Sequence, residues 1–123
     1  QFNLAGLWHL MAGAALLVSP DTGVAHLARL TGTPAVVLFG PGSPIVSGPG
    51  RFWHDSPFAV VWEENIECRN QNLLFERPLP WVRHCWRSVA ECGRPRCIWE
   101  IDNQRVVQAI EKVTGIVLVR ERT

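Results

Sequence analysis

The residues of this sequence that are best suited to bind a ligand lie in one short stretch; they are Asp21, Thr22, Gly23 and His26. They follow an apolar run that suits a buried parallel strand, and they coincide with the predicted start of a helix. The first turn of a helix leaves backbone N–H groups without partners, and the helix dipole makes that end effectively positive. The stretch therefore predicts an anion site that suits a phosphate or a diphosphate.

Each of the four residue types has its own use at such a site. Gly23 removes a side chain that would keep a ligand away, and Thr22 offers a hydroxyl donor. His26 lies one turn further along the helix, so its imidazole can reach the same ligand. Asp21 is repelled by a diphosphate and fits better as a cap of the turn or as an acceptor for sugar hydroxyls. Asp-Thr-Gly before a helix is also a common structural cap, so this turn alone favours a structural role.

A second turn favours the functional interpretation. The apolar run Ala35–Phe39 is the clearest strand in the sequence, and a Gly-Pro-Gly turn starts directly after it at Gly40. In open α/β sheets, ligands bind outside the carboxyl ends of the strands. Two neighbouring strand ends with ligand-friendly turns predict a shared site more strongly than either turn does alone.

The elements that must position these turns alternate along the chain. Apolar spacing predicts helices at residues 3–13, 24–30 and 103–113, with Asn3, Gly32 and Asp102 as their cap residues. It predicts strands at residues 16–19, 35–39 and 58–62. This order is typical of an α/β layer with a parallel sheet. Residues 41–57 are predicted to be a long loop, residues 63–97 loop with short helical turns, and residues 116–119 a short strand. The whole chain, 1–123, is predicted to be a single domain.

Cysteine and tryptophan are concentrated in the second half of the chain. The four cysteines are Cys68, Cys85, Cys92 and Cys97. Their spacing leaves three states open: free or partly buried thiols, which we favour, a structural zinc, and disulfides. The tryptophans of this half and of the preceding loop are expected to lie mostly in the core; they are Trp53, Trp62, Trp81, Trp86 and Trp99.

Bulk composition narrows the class of protein. The 123 residues carry a formal net charge of +1, with 47% hydrophobic and 19% charged residues. This balance is ordinary for a soluble globular domain and excludes a nucleic-acid-coating role. The longest apolar run, residues 10–18, is well short of a membrane span, so a cytoplasmic location is expected, with at most peripheral membrane contact. The chain starts with Gln1 rather than Met, which we interpret as truncation of a larger protein.

The run LLVSPDTGVAHLARLTGTPAVVLFGPGSP, which ends at Pro44, resembles the C-terminal domain of glycosyltransferase family 9, the heptosyltransferases of lipopolysaccharide synthesis. That family has an Asp-(Ser/Thr)-Gly-x-x-His motif after a strand, then a helix of small residues, a Gly-x-Pro turn, an apolar strand and Phe-Gly-Pro. All of these occur here in the same order. The cysteine-bearing segment resembles a tail found in a subset of the family.

The resemblance implies part of a GT-B enzyme, in which two Rossmann-like domains face each other and the C-terminal one holds the donor. It implies ADP-heptose as donor, the lipopolysaccharide inner core as acceptor, and no cofactor. It implies donor-binding roles for five residues, which are Asp21, Thr22, Gly23, His26 and Gly40. Such enzymes invert the anomeric centre with a carboxylate base from the N-terminal domain. No catalytic residue is therefore expected in this chain, and the chain alone is expected to be inactive.

Two other interpretations remain open. The Cys/Trp-rich half could make the chain a binding or interaction module that holds a structural metal. Alternatively, the chain could be related to a nucleotide-sugar epimerase, which shares a strand-end Asp-Ser-Gly turn. The Gly-Gly-x-x-Glu continuation of epimerases is missing, because Val24 and Ala25 follow Gly23.

Overall fold

The structure, a computed structural model, describes residues 3–118 and contains six helices and five strands in that range. In chain order, the elements are α1 (Leu4–Gly13), β1 (Leu17–Pro20), α2 (Gly23–Thr31), β2 (Ala35–Phe39), α3 (Pro44–Ser47), β3 (Phe58–Trp62), β4 (Leu73–Leu74), β5 (Arg77–Pro78), α4 (Val89–Cys92), α5 (Arg96–Trp99) and α6 (Asn103–Thr114). The three predicted helices and the three predicted sheet strands are all present, with no end shifted by more than one residue.

Local sequence signals set the ends of the long helices. The Asn3 side chain accepts a hydrogen bond from the Gly6 amide at 2.8 Å and starts α1. The Asp102 carboxylate accepts one from the Gln104 amide at 2.9 Å and starts α6. Gly32 ends α2 with a φ of 71°, a left-handed conformation that favours glycine. The cap residues predicted from the sequence are thus confirmed.

The strands β1, β2 and β3 form one parallel sheet in that order, so β2 lies in the centre. Leu17 pairs with Ala35, and Ala35 pairs with Phe58. β2 is apolar throughout because both of its faces are covered. This arrangement confirms the predicted α/β fold with an open parallel sheet.

The sheet is the middle of three layers. On one face, α1 and α2 pack through Met11, Leu27 and Ala25 against the sheet. On the other face, α6 packs through its apolar side, which includes Val106 and Ile110, against β2 and β3. Burial of these apolar side chains is the main stabilising contribution.

Residues 63–102, which we call the covering segment, join β3 to α6 and lie against the carboxyl end of the sheet. Arg69, which is almost fully buried, fastens the segment there. Its guanidinium donates to the carbonyls of Gly40, at 2.7 Å, and of Glu63, and lies over the Trp62 ring at 5.0 Å. Further along the segment, the Cys85 amide donates to the Pro41 carbonyl at 2.8 Å.

The structure corrects three predictions on local elements. The predicted loop 41–57 contains the short helix α3, whose first residue, Pro44, is pre-set for a helix start. The covering segment contains a two-stranded antiparallel hairpin, β4 and β5. The predicted strand 116–119 is not formed over residues 116–118, because the Ile116 and Leu118 amides donate to side chains of α6. The last residue of that predicted strand, Val119, lies outside the described residues.

The prediction that the tryptophans belong mostly to the core is wrong in the covering segment. Trp81, Trp86 and Trp99 are all exposed, whereas Trp53 and Trp62 are half-buried. The segment has too few buried apolar side chains to enclose rings of that size; they are Ile66, Val82 and Cys97. None of the helices within residues 3–118 has the length and apolar composition needed to cross a membrane.

Candidate functional site

The predicted turn lies at the surface, at the carboxyl end of β1. Thr22 is the N-cap of α2, and Thr22, Gly23 and His26 are all exposed. The Ala25 amide donates to the Thr22 carbonyl at 3.0 Å, whereas the Gly23 and Val24 amides have no acceptor within residues 3–118. The Thr22 hydroxyl does not cap them. This helix start therefore presents free donors and a positive dipole end to solvent.

Asp21 lies at the junction of two strand ends. Its amide donates to the Leu38 carbonyl of β2 at 3.2 Å, which draws the turn towards the second glycine turn. Burial raises the pKa of the Asp21 carboxyl, and the electrostatic effects of the nearby His26 and Arg29 only partly offset this effect. A Cβ at Gly42 would lie 2.9 Å from Asp21 Oδ2. Gly42 therefore allows the carboxylate its position, a role that the sequence did not reveal.

His26 is held by a residue that the sequence analysis missed. Arg29, one turn along α2 and almost fully buried, has Nη2 at 2.5 Å from His26 Nδ1. A guanidinium can only donate, so Nδ1 is the acceptor and Nε2 carries the ring proton. The guanidinium also donates to the carbonyls of Ser47 and Gly48, at 2.9 and 3.1 Å. The His-x-x-Arg spacing on one helix face was the available signal.

Gly40 lines a cleft at the end of β2 that Asp21 also lines. It is buried, and a Cβ there would lie 2.8 Å from the Ile98 side chain of α5. Its carbonyl accepts the hydrogen bond from Arg69. Gly40 therefore has a packing reason for being glycine, and its predicted contact with a donor stays a prediction.

Two adjoining clefts open at the carboxyl end of the sheet. One has a volume of about 450 Å³ and is lined by residues that include Pro20, Asp21, Gly42 and Trp86. The other, of about 250 Å³, shares Asp21, Gly42 and Trp86 and adds His84 from the covering segment. The turn after β1, the turn after β2 and the covering segment thus meet around Asp21.

The four cysteines all line one cleft of about 180 Å³, together with Pro41 and Arg87. Cys92 is exposed, Cys97 is buried, and Cys68 and Cys85 are half-buried, all as free thiols. In the range 3–118, no three His, Cys, Asp or Glu side chains come together as metal ligands do. Arg87 occupies the space between two of the cysteines, donating to Cys85 Sγ at 3.3 Å and to the Cys68 carbonyl at 2.6 Å. No disulfide is formed among the four cysteines, which agrees with the free thiols that we favour, and the structural zinc stays a prediction.

The three layers and the strand-end clefts define an α/β protein with a Rossmann-like parallel sheet and a candidate ligand site at its carboxyl edge. The model of glycosyltransferase family 9 (heptosyltransferase) matches residues 1–73. The chain is also 42% identical, over 116 residues, to lipopolysaccharide heptosyltransferase 1 of Pseudomonas aeruginosa. The chain belongs to glycosyltransferase family 9.

The match to the Pseudomonas protein covers 90% of this chain but only 30% of that relative's length. It therefore includes most of the covering segment, whose residues after position 73 lie beyond the family match. No solved structure matches the chain significantly.

Proposed function

We propose that this chain is the donor-binding, C-terminal part of an inverting GT-B glycosyltransferase that transfers a heptose from ADP-heptose to the lipopolysaccharide core. The observation that carries the proposal is the exposed start of α2, where free amides and an oriented imidazole occur in a chain of family 9. A diphosphate would accept hydrogen bonds from the Gly23 and Val24 amides and from the Thr22 hydroxyl. His26 would donate from Nε2.

In this proposal, Asp21 binds the sugar of the donor rather than the diphosphate. A carboxylate would repel a diphosphate but accepts hydrogen bonds well from sugar hydroxyls. Only burial and electrostatic effects, and no hydrogen bond, act on the Asp21 carboxylate within residues 3–118, so its lone pairs are open to a ligand. The sugar of the donor would therefore lie on the Asp21 side of the turn, and the diphosphate on the Thr22 side.

The outer surface of β1 supports the proposal that the donor domain continues beyond these three strands. Among the described residues, β1 pairs only with β2, and Val18 on β1 is exposed. Parallel strands are normally covered on both faces. Leu4 and Leu10 of α1 are exposed as well. In this proposal, the catalytic base comes from another domain, and the enzyme works in the cytoplasm with at most peripheral contact with the inner membrane.

An ADP titration followed by amide NMR tests the site in the chain as it stands. ADP should shift the Gly23, Val24 and His26 amides, and His26→Ala should weaken binding by about tenfold, the value of one hydrogen bond to a charged group. His9→Ala is the matched control, because His9 is also an exposed histidine on a helix. Equal losses for the two variants, or shifts confined to other amides, would contradict the proposal.

A further inference from the structure

The exposed Trp86 ring is attached to a firmly held piece of backbone. The Trp86 amide donates to the Gln71 side chain, and the preceding amide, of Cys85, donates to the Pro41 carbonyl. The following residue, Arg87, donates to the Cys68 carbonyl and to Asn70 Oδ1. The indole is nevertheless 66% exposed. A binding surface needs this combination, because a pre-ordered aromatic ring loses little entropy when a ligand covers it.

His84 supports the indole from below. The two ring centroids are 4.5 Å apart, with an interplanar angle of 52°. His84 is only 4% exposed, and its Nε2 lies 2.8 Å from the Leu73 carbonyl, so Nε2 carries the proton. Its Nδ1 is then a buried acceptor, without a partner among the described residues. Because this atom is fully buried, the role that His84 plays at the cleft is to pack beneath the indole and hold its ring plane.

The clefts place these groups together with Asp21. Trp86 and Asp21 both line the larger and the smaller cleft, and His84 lines the smaller one. An apolar ring face and a carboxylate around one space match a pyranose ring. Such a ring has a face of C–H bonds for the indole and a rim of hydroxyl donors for the carboxylate oxygens.

We propose that Trp86, Asp21 and His84 form a carbohydrate subsite, in which the indole of Trp86 stacks on a sugar ring. This inference rests on the proposed function, since it assigns the sugar half of the same site. It adds a contribution from the covering segment, whose residues after position 73 lie beyond the family match. The sugar is either the glycosyl group of the donor or a sugar of the acceptor saccharide.

Trp99 is the internal control for this assignment. It is as exposed as Trp86, at 66%, and lies in the same segment, but neither cleft includes it. Its ring is instead covered on one side by the guanidinium of Arg94, at 4.8 Å. Exposure alone therefore does not distinguish the two rings, whereas their positions relative to Asp21 do.

The test follows the indole N–H signals of the 15N-labelled chain, assigned with Trp86→Phe and Trp99→Phe variants. The titrants are ADP, ADP-heptose and a heptose-containing core oligosaccharide. We expect ADP to leave the Trp86 signal unmoved, and at least one of the two sugar-bearing ligands to shift it. The Trp99 signal should not respond. Trp86→Ala should weaken binding of the responding ligand by up to about tenfold, as expected for one aromatic contact, and Trp99→Ala should not.

The pattern of responses identifies the source of the sugar. A shift with ADP-heptose assigns the subsite to the donor, and a shift with the oligosaccharide assigns it to the acceptor. If neither ADP-heptose nor the oligosaccharide shifts the Trp86 signal, while ADP still shifts the amides of residues 23–26, the proposed subsite is wrong and the proposed function stands. A shift with ADP alone overturns the subsite as well, because the ring would then bind the base. No response at any position overturns both proposals. Trp86→Phe retains a ring and so separates stacking from misfolding.

Discussion

Two parts of this molecule, the layered part and the covering segment, are each stabilised by a different kind of interaction. The layered part, residues 4–62 with α6, buries a continuous apolar core on both faces of its sheet. The covering segment buries few apolar side chains and is fastened by Arg69 and by backbone hydrogen bonds. Apolar burial is non-directional and follows sequence periodicity, whereas a polar fastening depends on one side chain that meets particular carbonyls. The comparison shows that the candidate site lies where these two kinds of construction meet.

Of the changes considered, removal of the Arg69 side chain should lower the free energy of unfolding most. Arg69→Ala leaves the Gly40 and Glu63 carbonyls without their charged donor, and each such bond is worth about 1.5 to 3 kcal/mol. We expect the free energy of unfolding to fall by about 3 to 5 kcal/mol in urea titrations. Arg83→Ala, at an exposed position of the same segment, should change it by less than about 0.5 kcal/mol. Similar values for the two variants would remove the distinction between the two parts.

A matched pair of valines tests whether the covering segment opens separately. Val37 in β2 and Val82 in the covering segment are both fully buried. Val37→Ala should lower global stability by about 2 kcal/mol and speed hydrogen exchange throughout the layered part. Val82→Ala should speed exchange within residues 63–102 and leave β2 amides protected. Faster exchange in β2 after the Val82 change would mean that the two parts unfold as one unit.

Thiol reactivity gives a smaller, local contrast inside the covering segment. Burial tends to raise the pKa of the Cys85 thiol, but hydrogen bonds from the Arg87 amide and guanidinium outweigh it and lower the pKa. Burial raises the pKa of the Cys97 thiol. Because the thiolate is the nucleophile, iodoacetamide at neutral pH should label Cys85 faster than Cys97, as read by peptide mass spectrometry. Arg87→Gln should slow labelling at Cys85; an unchanged rate would show that Arg87 does not activate it.

The smallest expected effect is the change in melting temperature that Asp21→Asn causes at different pH values. The pKa of the Asp21 carboxyl in the folded state is raised above 3.8 by burial, so the ionised carboxylate costs stability above the raised pKa. Below pH 3.8, the carboxyl is protonated in both states and the cost vanishes. Asp21→Asn should therefore raise the melting temperature slightly at pH 7 and leave it unchanged near pH 3. A destabilised variant at pH 7 would mean that the carboxylate stabilises the turn, contrary to its proposed ligand role.

The sequence by itself determined the layered part and the position of the first turn. Apolar spacing and the caps Asn3, Gly32 and Asp102 act within a few residues, so helices, strands and their order were predictable from local pattern. The exposure of Thr22, Gly23 and His26 followed from the same logic, because a helix start after a buried strand faces the edge of the sheet. The family motif lies within this predictable part.

Only the tertiary structure decided what surrounds that turn. The β4–β5 hairpin escaped prediction because Phe75 and Glu76 adopt left-handed conformations, with φ of 50° and 61°, which the pattern assigns to Asn and Gly. Arg69 meets carbonyls about thirty positions earlier in the chain, and Trp86 reaches the cleft beside Asp21 from more than sixty positions away. Contacts between residues so far apart in the chain leave no periodic pattern in the sequence. They depend on how the covering segment folds over the sheet and not on local geometry.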